Sequence, residues 1–506
     1  VETIEVITDE EIDFSLLQDL PLSFVKGNVF LPLRKDNGLL VAAVADNRGI
    51  FALRDLARSL NLKPHPLQAG EKIILDAINR VYSRTSRVNE VMGDIKGEDL
   101  SMVATEFESP RDLLELTEDA PIIRLLNALL MESVKEKASD IHVEPYEKGL
   151  DVRFRVDGIL RKVLSPPRII QDALISRIKI LAGLDIAEKR LPQDGRIKLL
   201  VGGKDIDIRV SIIPTALGER AVLRLLDRQA GVLSLEMLGL SDSILTSFRD
   251  ALSRPNGIIL VTGPTGSGKT TTLYASLLKL NTEERNIITV EDPVEYQLSG
   301  IGQMQVNPKI GLTFAAGLRS ILRQDPDIMM VGEVRDLETA EIAVHASLTG
   351  HLVLSTLHTN DAPSALTRLI DMGIEPFLVA SSLVCVLAQR LVRVICPHCK
   401  ESYKPTKQEK DYLELSLPPA ILYRGKGCDK CLGKGYLGRT GIYELLEITP
   451  DIRTMVVERK DAQVIRRTAS LKSGFTTLQK NATDKIIKGI TTIEEVLRVT
   501  QKDVEE

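Results

Sequence analysis

Gly263-Pro264-Thr265-Gly266-Ser267-Gly268-Lys269-Thr270 fills every fixed position of the pattern G-x-x-x-x-G-K-[ST], a loop that cradles phosphate. Its neighbours supply the context the pattern needs. Residues 257–262 (GIILVT) are a short apolar, β-branched run of the kind that forms a buried parallel strand, and residues 271–279 read as a helix. In a strand, glycine loop and helix of this kind, backbone N–H groups converge on a phosphate and the helix N-terminus adds its positive dipole end. Lys269 is then placed to reach β- and γ-phosphates and the Thr270 hydroxyl to bind Mg²⁺. A Gly-rich turn with a chance Lys-Thr pair is the alternative, and the flanking strand and helix speak against it.

Further out, apolar strand-like runs at 286–290, 328–332 and 351–356 alternate with helical stretches. That alternation predicts a parallel sheet covered on both faces, with ligands at the carboxyl ends of the strands. Hydrolysis also needs a group to orient water, a partner for Mg²⁺ and positive charge against the transition state. Asp327-Ile328-Met329-Met330-Val331-Gly332-Glu333 is an apolar strand ending in a carboxylate, expected to lie beside the P-loop strand, and Glu333 is the candidate that orients water. Gly332 stands where many P-loop enzymes have a second, Mg²⁺-assisting Asp, so more of that task falls to Thr270. Glu291, in Glu291-Asp292-Pro293-Val294-Glu295, follows another strand and is a candidate for water or Mg²⁺, unless Asp292-Pro293 only shapes a turn. His351 and His358 flank the 352–356 run and read as a pair at one active-site edge, with His358 a γ-phosphate sensor. Arg319 and Arg323 at i, i+4 on one helix face, Arg335, and Arg196, Arg209 and Arg224 on or beside earlier strands are candidate cations; the alternative for each is a solvated surface residue.

Cys396-Pro397-His398-Cys399 and Cys428-Asp429-Lys430-Cys431 are two C-x-x-C knuckles separated by 28 residues. Cys396, Cys399, Cys428 and Cys431 would complete a tetrahedral shell for structural Zn²⁺, leaving no open position for catalysis. A redox dithiol would need only one such pair. Cys385, in an apolar run read as helical, is a buried small hydrophobe.

Sixty-five basic and 70 acidic side chains leave a formal charge of −5, and no Trp is present, so nucleic acid is not favoured as a partner. The longest apolar run, residues 377–388, is interrupted by two serines and too short to span a membrane. No basic-then-apolar leader opens the chain, and paired C-x-x-C motifs suit a reducing compartment, so a cytoplasmic location is expected. The chain divides on paper into a small α/β module at 1–83, a polar linker at 84–112, an α+β domain at 113–230, the ATPase core at 231–395, the tetracysteine unit at 396–440 and a charged helical region at 441–506. The first module is expected to hold helices at 9–20, 51–60 and 71–82 and strands at 29–33 and 39–45. The α+β domain is expected to open with a helix at 122–137, followed by strands at 140–143, 150–156, 196–200, 205–210 and 221–226.

Ser139-Asp140-Ile141-His142-Val143-Glu144-Pro145, Arg153-Phe154-Arg155-Val156-Asp157-Gly158, Leu191-Pro192-Gln193-Asp194-Gly195-Arg196, the P-loop, the 291–295 acidic box, residues 322–333 and the 351–358 histidine box together resemble the secretion ATPases of bacterial type II secretion and type IV pilus systems, closest to the general secretion pathway protein E subgroup. Gly332-Glu333 is that family's own form of the segment. The resemblance implies a RecA-like P-loop ATPase domain and a homo-hexameric motor peripheral on the inner membrane. ATP would bind between the second and third units, with Arg196 and Arg209 as the family's arginines, and hydrolysis would drive pseudopilus assembly. It also implies two partners: an inner-membrane secretion-apparatus protein, bound through residues 1–83, and an inner-membrane platform protein. The tetracysteine unit argues against a retraction motor. Residues 20–25 and 41–46 look more like the secretion subgroup's docking module, and the paired R-L-G repeats of cyclic-dinucleotide-binding modules are not evident. A pilus-assembly ATPase, a nucleic-acid translocase with a zinc knuckle and a zinc-stapled nucleotide-binding scaffold stay open as alternatives.

Overall fold

The computed structural model describes residues 4, 7–8, 12–17, 20, 22–36, 38–85, 121–201, 204–227, 233–413, 419, 421–471 and 475–500. It falls into two compact units, Val1–Ala230 and Gly231–Glu506.

In the first unit, Phe30–Asp36 (β1) and Leu39–Val44 (β2) are antiparallel, and Lys63–Gln68 (β3) lies parallel to β2 after the crossover helix Asn47–Ser59. Asp46 starts that helix by accepting from the N–H groups of Arg48 and Gly49. Leu31, Leu33, Leu40 and Leu53 share one core with Ile74 and Ile78 of the helix Glu71–Thr85. The sequence reading contains no β3, because Pro64 and Pro66 argue against a strand. Both prolines fall at alternate positions of an edge strand bonded to β2 alone, where their missing N–H groups cost no ladder bond. The helix expected over 9–20 is also replaced, in its described part, by a short turn of 3-10 helix, Phe14–Leu17, with the separate helix Leu22–Gly27 after it. Asp13 Oδ1 accepts from Ser15 N–H at 3.0 Å, which closes a turn there in place of a helix. All but the first two residues of the expected 84–112 linker lie outside the described residues.

The helix Pro121–Lys135 precedes a six-stranded antiparallel sheet: Asp140–Tyr146 (β4), Gly149–Val156 (β5), Ile159–Leu164 (β6), Gln193–Val201 (β7), Lys204–Thr215 (β8) and Gly218–Asp227 (β9), in the order β6-β5-β4-β9-β8-β7. Leu150, Val152 and Phe154 of β5 alternate with less buried neighbours and join the core with Leu174 and Ile178 of the helix Gln171–Ala182. The five expected strands are present, and β6 is an addition. None of its side chains is buried, so it lacks the alternation that would betray it. Its signal lies in the turn before it, where Asp157 and Gly158 both take positive φ, 52° and 83°, as a two-residue hairpin requires.

The second unit is built on Gly257–Thr262 (β10), Ile287–Glu291 (β11), Gly302–Gln305 (β12), Ile328–Val331 (β13), Leu352–Leu357 (β14) and Leu383–Ile395 (β15). Lys400–Tyr403 (β16) and Leu422–Gly425 (β17) form a separate ribbon, and Tyr436–Glu447 (β18) completes the main sheet. Its order is β12-β11-β13-β14-β10-β15-β18, parallel throughout except for antiparallel β18. Successive residues of β10 enter opposite cores: Ile258 and Leu260 on one face, Ile259 and Val261 on the other. Each such side chain contributes about 1.5–3 kcal/mol of burial, which is why a strand covered twice reads as an unbroken apolar run. The same rule explains a correction. Residues 377–388 are not one helical run but the end of the helix Pro376–Ser382 and the start of β15, where Cys385 and Leu387 face one core and Val386 and Ala388 the other. Cys385 is buried, as expected of a small hydrophobe, but on a strand. Ile452, Ile465, Ile486 and Val496 of the C-terminal helices belong to the first of these cores. Among the described residues no helix is long and apolar enough to cross a membrane.

Candidate active site

The P-loop leaves the carboxyl end of β10, and its conformation is one that only glycine adopts without strain: φ is 144° at Gly263, 79° at Gly266 and 90° at Gly268. Gly268 is the N-cap of the helix Lys269–Leu280 and offers no side-chain acceptor to the first turn, so the N–H groups there stay open to an anion. Thr265 and Thr270 are exposed and Ser267 is buried, while Pro264 lies exposed on the rim. Lys269 Nζ donates to the carbonyls of Gly263 (2.7 Å) and Pro264 (3.2 Å). Burial pushes its ammonium down to about 8, Arg390 adds to that shift, and the nearby Glu333 carboxylate opposes it.

Glu333 comes to this edge by a longer route than the sequence suggests. β13 does not lie beside β10, since β14 is hydrogen-bonded between them. Spatial strand order is a property of the crossovers and is not written in the strands themselves. The Glu333 carboxylate nevertheless meets Lys269 electrostatically, pairs with Arg335, and lies 3.6 Å from His358 Nε2. His358 is held below the usual imidazole range by burial first and by Lys269 second, with Glu333 pulling the other way. It is therefore neutral at pH 7 and can accept as well as donate.

His351 does not share this edge. It precedes β14 and His358 follows it, so six residues of strand put them about 20 Å apart. His351 Nδ1 instead bonds the Ala346 carbonyl at 2.9 Å. Arg319 pairs with Glu338 on the next helix, and Arg323, past the end of the helix Phe314–Ile321, folds back to donate to the Arg319 carbonyl at 2.9 Å.

Glu291 ends β11, next to β13, but its carboxylate is sealed in. Tyr274 O–H of the P-loop helix donates to Oε2, and Thr289 Oγ1 (2.6 Å) and Gln303 Nε2 (3.0 Å) donate to Oε1. The Tyr274 phenol is pushed up strongly by burial and by that carboxylate. In the first unit, Arg196, Arg209 and Arg224 are direct cross-strand partners on β7, β8 and β9. Like charges in such a row oppose pairing and favour an anion nearby. Asp140 on β4 takes Arg224 Nε at 3.0 Å.

Other residues at the site were not anticipated from the sequence. Thr262 Oγ1 accepts from Thr359 N–H at 2.9 Å and so ties the end of β10 to the segment carrying His358. Gln389 and Arg390, both buried on β15, bond the P-loop and the Asn360 carbonyl. Their signal was available: an amide and a guanidinium inside an otherwise apolar run are buried polar groups that must have partners.

The four Sγ atoms of Cys396, Cys399, Cys428 and Cys431 lie within 4.8 Å of one another. Neighbouring pairs stand 3.7–3.9 Å apart, too long for a disulfide and close to the edge of about 3.8 Å that a tetrahedron with metal–sulfur bonds of about 2.3 Å would have. Backbone N–H groups of Gly427 and Gly435 donate to Cys399 and Cys431 Sγ at 3.3 and 3.2 Å, bonds that orient the sulfurs and stabilise negative charge on them. These residues fit a bound metal ion.

A parallel sheet with a glycine loop, a lysine and a facing glutamate at its carboxyl edge defines a P-loop ATPase. The family model described as type II/IV secretion system protein matches residues 115–498, and one described as MshEN domain matches residues 4–88. The chain belongs to the type II/IV secretion system protein family. It is 52% identical to the type II secretion system protein E of Pseudomonas aeruginosa, over 96% of both chains. It is 54% identical to the type II secretion system ATPase E of Vibrio cholerae, over 84% of this chain and 85% of that one. The type IV pilus assembly ATPase PilB of Myxococcus xanthus is 44% identical over 98% of this chain and 88% of its own. Among solved structures, the pilus retraction motor PilT with bound ADP matches with a TM-score of 0.51 at 27% identity, covering 74% of this chain and 98% of that one.

Proposed function

We propose that this chain is the ATPase of a type II secretion apparatus, a hexameric motor held at the cytoplasmic face of the inner membrane by protein partners. The observation that carries the chemistry is the convergence of Lys269, Glu333 and His358 at the carboxyl edge of the sheet, beside a P-loop whose first helical turn is uncapped. The loop and the open N–H groups of the helix's first turn bind the phosphate chain, and Lys269 neutralises it. Mg²⁺, held by the Thr270 hydroxyl, would supply further charge at the phosphates. Glu333 orients the attacking water, and neutral His358, in reach of the same carboxylate, reports the γ-phosphate. Glu291 supports the P-loop helix through Tyr274, and Arg196 and Arg209 are the candidates for positive charge from outside the P-loop unit. Cys396, Cys399, Cys428 and Cys431 hold structural Zn²⁺. The division into a docking module at 1–83, an α+β domain at 113–230, an ATPase core at 231–395, a zinc unit at 396–440 and a helical region at 441–506 goes with this reading.

The purified full chain is expected to show Mg²⁺-dependent ATP hydrolysis and to recover a secretion-apparatus protein from inner-membrane extract through its first module. No turnover above background, or stimulation by DNA or RNA alone, would remove the reading. The similarity to PilB supports pilus assembly as a second reading, and recovery of a pilus platform protein would favour it.

A further inference from the structure

Gly263, Gly266 and Gly268 each hold a left-handed backbone, and no regular hydrogen-bond ladder fixes the loop they shape. Something outside must hold it. Lys269 bonds two of its carbonyls, but on the reading above that ammonium is needed at the phosphates. Gln389 of β15 supplies a support from outside the loop. Only 1% exposed, it donates from Nε2 to the Ser267 carbonyl at 2.7 Å and accepts through Oε1 from Thr272 Oγ1 at 2.8 Å. The partners fix the amide orientation, since a carbonyl can only accept. The two bonds bracket Lys269 and Thr270. The backbone closes the third side, because a Cβ on Gly263 would collide with the Gln389 carbonyl oxygen and one on Gly268 would lie 3.2 Å from Nε2. Next along the strand, Arg390 Nη2 donates to the Asn360 carbonyl at 2.8 Å, so one dipeptide touches both the P-loop and the segment after His358.

We propose that Gln389 is the positioning residue of the P-loop, setting the backbone N–H groups of residues 263–270 in their phosphate-binding arrangement without itself touching nucleotide. This rests on the reading of that loop as the nucleotide site. A group that shapes the cradle acts on every ligand sharing the β-phosphate, so ADP and ATP affinity fall together. The hydrolytic step, which depends on Glu333, changes less.

The test is equilibrium binding of ADP and ATP to the full chain, with kcat, KM and Tm, for Gln389→Met, Gln389→Glu and Thr272→Val. Gln389→Met keeps the volume and removes both hydrogen bonds. It is expected to raise both dissociation constants about tenfold with kcat within about threefold, and to lower Tm by a few degrees because the buried Thr272 hydroxyl loses its partner. Gln389→Glu faces an acceptor onto the Ser267 carbonyl and is expected to bind no better. Thr272→Val removes one bond and is expected to cost about threefold, and adding it to Gln389→Met should cost nothing more. Affinities within twofold of the unaltered chain, or a lowered Tm with affinity intact, would overturn the proposal. If Gln389→Met does not fold, Gln389→Glu and Thr272→Val decide by the same readings. An unaltered chain that binds nucleotide without hydrolysing it overturns the ATPase reading alone, whereas one that binds none overturns both.

Discussion

Glu291 and Glu333 close neighbouring strands of one parallel sheet, β11 and β13, and both follow apolar runs that aim them at the carboxyl edge. Their surroundings differ in kind. Glu291 is 3% exposed, and its oxygens are taken by Tyr274, Thr289 and Gln303, three donors that leave little acceptor capacity for water or metal. The Glu333 side chain is 13% exposed and faces cations and a titratable ring, Lys269, Arg335 and His358. A carboxylate among charges that move with substrate can do chemistry. One locked by neutral donors holds elements together, here the P-loop helix to β11 and β12.

The largest effect is expected at Glu333. Glu333→Gln preserves shape and removes the base, and phosphate release should fall at least about a hundredfold while nucleotide affinity stays near that of the unaltered chain. A fall under about tenfold would break the contrast. The facing lysine sharpens it. Because the Lys269 ammonium titrates at about 8, ADP affinity should be flat below that pH and decline about tenfold per unit above it. Stability moves the opposite way. A lysine whose folded value lies below its ordinary 10.5 leaves the unfolded chain binding more protons between about 8 and 10.5, so the nucleotide-free fold gains stability as pH rises through that window. Lys269→Arg, charged throughout, should abolish the slope in affinity, and persistence of the slope would assign it to another group.

The P-loop, the Cys knuckles and Glu333 were legible because each is a local pattern: glycines where φ is positive, thiols at ligand spacing, a carboxylate closing an apolar run. What stayed hidden depends on partners far along the chain. Gln389 meets Ser267 across 122 residues, and Glu291 meets Tyr274, 17 residues before it, only once the P-loop helix has packed back against the sheet. β15 was misread for a different reason. A strand buried on both faces carries no alternation, and Leu383-Val384-Cys385-Val386-Leu387-Ala388 is as apolar as a buried helix. β14, slipped between β10 and β13, changes neither neighbour's sequence.

The smallest effect in turnover, and the one that decides what Glu291 does, is expected from Glu291→Gln and Tyr274→Phe. The first leaves Tyr274 O–H, which also receives Glu295 N–H at 3.3 Å, opposite an amide donor, and the second removes one donor from a buried carboxylate. Each should destabilise the P-loop unit by about 1–3 kcal/mol in urea denaturation. The pair should be non-additive, since both variants break one bond. Turnover of the folded protein should change less than about tenfold, because the Glu291 carboxylate is buried and already holds three donors. If Glu291→Gln instead lost turnover as Glu333→Gln does, with stability intact, the carboxylate would have to leave its three donors during the cycle. Glu291 would then stand beside Glu333 as a catalytic group, and the contrast between the two strand ends would hold only for the resting arrangement.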